Sequence, residues 1–97
     1  MNKKGDRAMQ PTKQLLYERT ITVGLEKLAL HLFRAKSGLL LERSLGQGDG
    51  RMLVQVLPLL SRDDLHGLDE FIRADEHRSY LQPLYNEVRE KASIEFV

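Results

Sequence analysis

Six apolar residues constrain this chain more than any other feature. Ile21, Leu25, Leu28, Leu32, Ala35 and Leu39 recur at spacings of 4, 3, 4, 3 and 4, the repeat that lines one side of an α-helix with an apolar seam. The seam predicts a long helix that starts at Lys13 behind a Thr12 N-cap. It ends at Ser37-Gly38, where glycine suits the left-handed C′ position, or runs on through Gly38 to Leu45. Val23, Leu30 and Phe33 lie off the seam, and Gly24 and Ala29 leave room beside them. A small domain has little with which to cover a second apolar side, so these three are expected to meet a second copy of the chain across a two-fold interface.

Beyond this seam the punctuation is clearer. Three glycines in "GQGDG" (Gly46 to Gly50) break any helix, because ordering glycine costs more backbone entropy than ordering any other residue. The apolar run "RMLVQVLPLL" that follows reads as a buried helix bent at Pro58. Its alternative is one strand of a hairpin that pairs Leu39–Leu45 with Arg51–Leu57. In "SRDDLHGLDEFI", Ser61 is an N-cap, Asp63 and Asp64 suit the positive end of the helix dipole, and Asp64 takes the capping-box position. Leu65, Leu68, Phe71 and Ile72 form that helix's buried stripe. Ser79 and Gln82 make a second capping box, after which Leu81, Leu84, Tyr85, Val88 and Ala92 share one face. The expected fold is all-α: a small four-helix domain with one long N-terminal helix, the alternative being α+β with a hairpin at residues 39–57. Residues 1–11 read as a flexible leader and residues 12–97 as a single helical domain, with Met9 a second candidate start.

Chemistry is sparse. With no cysteine, thiolate nucleophiles, disulfides and thiolate metal sites are excluded. Asp63, His66 and Glu70, at i, i+3 and i+7, share a helix face, but acids there are what a helix start and a solvated face ordinarily carry. Carboxylate and imidazole at that spacing can ligate a metal, and Asp75, Glu76 and His77 lie just downstream, but the helix-start and solvated-face reading is the stronger. His31 reads as a packed histidine within the first helix. Ser44, Ser61 and Ser79 lack a nucleophile elbow, and "GQGDG" lacks the Lys-Ser/Thr ending of a phosphate-binding loop. No catalytic, cofactor-binding or metal-binding residue is assigned, and no enzymatic activity is expected.

Charge is uneven. Residues 1–51 carry ten Lys/Arg against five Asp/Glu, and residues 52–97 carry five against nine; opposite halves favour packing together or steer a polar partner. The resulting expectation is a cytoplasmic regulatory or adaptor protein that forms a homodimer and binds a larger protein, for example a transcription factor or an enzyme. Its interface is expected among Val23, Leu30, Phe33, Leu40, Leu41, Tyr80 and Tyr85. The alternative is a nucleic-acid-binding transcriptional regulator that uses Lys3, Lys4, Arg7, Arg19, Lys27 and Arg34 on phosphates. No stretch is apolar for the roughly 20 residues that a membrane-spanning helix needs.

Overall fold

A computed structural model describes residues 13–96; the leader and Thr12 lie outside them. The chain is not all-α. Residues 14–59 form a four-stranded antiparallel meander, β1 (Gln14–Val23), β2 (Glu26–Ala35), β3 (Gly38–Gly46) and β4 (Met52–Leu59), in the order β1-β2-β3-β4. A short 3₁₀ turn (Arg62–Asp64) leads into α1 (Leu65–Arg73), and α2 (Arg78–Glu95) closes the chain. The long N-terminal helix is therefore replaced by two hairpins, and the buried helix bent at Pro58 by a strand. The β3–β4 hairpin occupies the stretch where the α+β alternative places one.

The physical reason lies in Thr20-Ile21-Thr22-Val23. Four consecutive β-branched residues lose side-chain freedom in a helix and fit a pleated strand. Gly24 then adopts φ +62° as the first residue of a two-residue turn, since Val23 pairs with Glu26; glycine at that position is the II′ hairpin pattern. From Leu28 onward the residues also satisfy a period of two: Leu28, Leu30 and Leu32 are fully buried on one face while their neighbours are less so. Off-seam Leu30 thus shares one buried row with the seam residues Leu28 and Leu32, while Phe33 points to the other face of the sheet. Leu25, central to the helical seam, sits at the turn as an 86% exposed side chain.

Gly38 is required twice over. Its φ is +149°, and a Cβ there would lie 2.6 Å from the Leu59 carbonyl oxygen. The close approach lets β4 finish beside the start of β3, where Leu39 pairs with Leu59.

Both helices pack on one face of the sheet, α2 over β1 and β2 and α1 over β4. Leu81, Tyr85, Val88 and Ala92 from α2 and Leu68 and Ile72 from α1 meet Tyr17, Leu28, Leu30, Leu32, Leu39, Leu41, Leu45 and Leu59 from the sheet. The helical stripes therefore lie where their spacing predicts. Asp64 closes the helix start, its carboxylate accepting from the N–H groups of Leu60 (2.7 Å) and Ser61 (3.2 Å). The second box is displaced: α2 begins at Arg78 with His77 as N-cap, and Ser79 lies inside it. Arg34 of β2 pairs with Glu95 of α2, and Arg43 of β3 with Asp75, so basic strands meet acidic helical segments. Among the described residues no helix is long and apolar enough to cross a membrane.

Candidate functional site

Two features are candidates, a buried polar network and an exposed apolar strand. The network joins the sheet to the α1–α2 junction. Arg43, held on the buried face of β3, donates to both oxygens of Asp75, Nε to Oδ2 at 2.9 Å and Nη2 to Oδ1 at 2.7 Å. Tyr85 Oη donates to Asp75 Oδ2 at 2.6 Å, and the His77 backbone N–H donates to Oδ1 at 2.8 Å. Arg43 Nη2 also lies 3.1 Å from His77 Nδ1. Arginine has no acceptor, so Nδ1 accepts and the imidazole carries its proton on Nε2, which faces Glu26 Oε1 at 3.1 Å.

Burial alone would raise the Asp75 carboxyl, but hydrogen bonds from Tyr85, His77 and Arg43 outweigh it and hold the group below the usual carboxylate range. Tyr85 is pushed far up, first by burial and then by its bond to Asp75. Tyr17 is raised the same way, by burial and by donating to Glu87 Oε1 at 2.5 Å. A carboxylate with four donors and a phenol locked onto it have no capacity left for a reacting atom. The network clamps the two layers together; its geometry is that of a satisfied buried ion pair.

The exposed strand is β4. Gln47 N–H donates to the Arg51 carbonyl at 2.8 Å, which sets the alternation of the β3–β4 ladder. Leu45:Leu53, Arg43:Gln55 and Leu41:Leu57 are then its hydrogen-bonded pairs, and the N–H and C=O groups of Met52, Val54 and Val56 point to the outside of the sheet. Pro58 belongs to the same outward set, so its missing N–H takes nothing from β3. Side chains are exposed on both faces of this edge: Met52 (65%), Val54 (52%) and Val56 (50%) on the face away from the helices, and Leu53 (56%) on the helical face. A strand whose outer backbone row has no partner among the described residues and whose two faces are apolar is a template for another strand.

The sequence-predicted interface residues fall on different surfaces. Leu30, Leu41 and Tyr85 are fully buried in the core, and Val23 is half-buried against it. Phe33 and Leu40 are cross-strand partners on the face away from the helices, half-buried, with Lys13 Nζ 4.2 Å from the centre of the Phe33 ring. Tyr80 is exposed on α2. Of the basic residues, Lys3, Lys4 and Arg7 lie outside the described residues. Arg34 is held by Glu95, Arg19 rests over the Tyr17 ring, and Lys27 is on the opposite face of the sheet from both. These three do not converge on one phosphate-binding track. His31 is half-buried on the open face, not in the core, stacked near Phe33 and 3.1 Å from Glu18. Among the described residues, Asp63, His66 and Glu70 do not gather into a metal-holding group.

Sequence reasoning missed Met52 to Val56 because an uncharged apolar run ordinarily means burial. The available signal was Pro58, which within an apolar run marks an edge strand. Comparison with protein-family models, with curated proteins and with solved structures returns no match.

Proposed function

We propose that this protein is a small binding module of regulatory or adaptor type that acts through the outer edge of β4, without chemistry of its own. The observation that carries the reading is the exposure of Met52, Leu53, Val54 and Val56 on an edge whose backbone groups face outward. Fully burying a side chain of this size is worth about 1.5–3 kcal/mol, so four half-exposed ones leave about 3–6 kcal/mol of transfer free energy for a partner to recover. Strand addition supplies main-chain hydrogen bonds for affinity and side-chain contacts for specificity. The cysteine-free composition suits a reducing compartment such as the cytoplasm.

The test is binding of a panel of extended apolar peptides, read by fluorescence anisotropy, together with self-association. Both are compared between the native chain and a Val54→Lys, Val56→Lys double variant. The reading expects the lysines to weaken peptide binding or association while the circular dichroism spectrum stays native. If the variant binds and associates as the native chain does, β4 is not the binding edge.

A further inference from the structure

We infer that the strand occupying β4 is the β4 of a second copy of this chain, paired antiparallel about a two-fold axis through Gln55. This rests on the reading of β4 as the binding edge and names what fills it. The two edges of the sheet are built differently. β1 is interrupted by a register shift between Leu15 and Tyr17 and carries Glu18 and Arg19; bulges and charges are the devices that stop an edge from pairing. β4 has neither. From Met52 to Ser61 there is no charged residue. In a two-fold contact each residue meets itself or a near neighbour, so any charge close to the axis faces a like charge. An uncharged edge suits self-pairing.

The ladder then selects the register. Only Met52, Val54, Val56 and Pro58 turn their backbone groups outward, so they must pair among themselves. With the axis on Gln55, Val54 opposes the second copy's Val56 and Met52 opposes its Pro58 on the open face, where Met52 donates to the proline carbonyl and receives no bond in return. On the helical face Leu53 opposes the second copy's Leu57, and Gln55 meets itself, amide to amide. Away from the axis apolar meets apolar. Moving the axis to Val54 sets Leu53 against Gln55 and Arg51 against Leu57; moving it to Val56 sets Gln55 against Leu57. A copy stacked on the open face would cover Met52, Val54 and Val56 but leave Leu53 wet on the other side. Edge pairing covers all four and joins two four-stranded sheets into one of eight strands.

The chain has no cysteine, so single substitutions report contacts without background. Directly opposed residues in a non-hydrogen-bonded antiparallel pair have Cα atoms about 4.5 Å apart, within disulfide reach, and Gln55 would face itself in such a pair. The experiment is oxidation of full-length Gln55→Cys, Val54→Cys and, on the far edge, Glu18→Cys, each followed by non-reducing electrophoresis. Light scattering on the native chain and on Val54→Lys, Val56→Lys accompanies it. The expected results are a native mass twice the 11.2 kDa of one chain, halved by the lysines in a still-folded protein, and cross-linking of Gln55→Cys but not of the other two. Cross-linking of Val54→Cys in place of Gln55→Cys overturns the axis and leaves β4 as the edge. A monomeric native chain overturns the second copy; peptide binding then decides whether β4 remains a binding edge. A dimer that the lysines do not weaken overturns both.

Discussion

Replacing Asp75 by alanine removes the acceptor of four hydrogen bonds at once: two from Arg43, one from Tyr85 and one from the His77 backbone. The Arg43 and Asp75 side chains are 7% and 3% exposed, so water does not screen the charge left behind. Breaking a buried pair by removing one partner costs about 3–5 kcal/mol, against the roughly 5–15 kcal/mol that holds an ordinary domain folded. The variant should lose at least about 3 kcal/mol. In a domain of this size that lowers the melting temperature by about 12 °C or more. The assay is urea unfolding followed by far-ultraviolet circular dichroism, comparing midpoints at constant slope. An Arg43→Met, Asp75→Leu double variant removes both charges and should regain the part of the loss owed to the unpaired Arg43 charge, while the Tyr85 hydroxyl and the His77 N–H stay without their acceptor. A single-variant cost below about 1 kcal/mol would show that the pair is solvated and holds nothing together. A double variant as unstable as the summed single variants would refute the coupling.

Three further outcomes follow from the same structure. The folded Asp75 carboxyl titrates below its unfolded counterpart, so its contribution is complete above the ordinary carboxylate value near 4 and is lost as pH falls through the lowered folded value; urea midpoints should drop there, and less steeply for Asp75→Asn. Leu30→Ala should cost about 2–5 kcal/mol, as a fully buried leucine does, while Leu25→Ala should stay within about 0.5 kcal/mol as an exposed turn residue; thermal melts that rank the pair the other way would contradict the hairpin. Gly38→Ala should destabilise by more than about 1 kcal/mol because strain at positive φ and the Leu59 carbonyl oppose it together. Gly24→Ala, which meets only the strain, should be milder by the same unfolding assay.

What the sequence by itself determined lies mostly after Ser61. The stripes Leu65–Leu68–Ile72 and Leu81–Tyr85–Val88–Ala92 and the Asp64 helix start depend on residues within a few positions of one another, and local spacing reports local structure. The charge imbalance between the halves was equally legible, and it reappears as Arg43–Asp75 and Arg34–Glu95. The first half was not legible, because Leu28 and Leu32 serve a helical seam with Leu39 and equally serve an alternating strand with Leu30. Only the cross-strand ladder, with partners such as Leu32 and Leu41 brought together through a turn, decides between them. Tertiary structure alone also assembled Glu26, Arg43, Asp75, His77 and Tyr85, since burial of a charge depends on what packs over it. It also placed an apolar strand at the rim of the sheet, a position that only Pro58 signals in the sequence. Met52 to Val56 would be core in the middle of a sheet; at its edge the same residues are a surface, because among the described residues no strand lies beyond them.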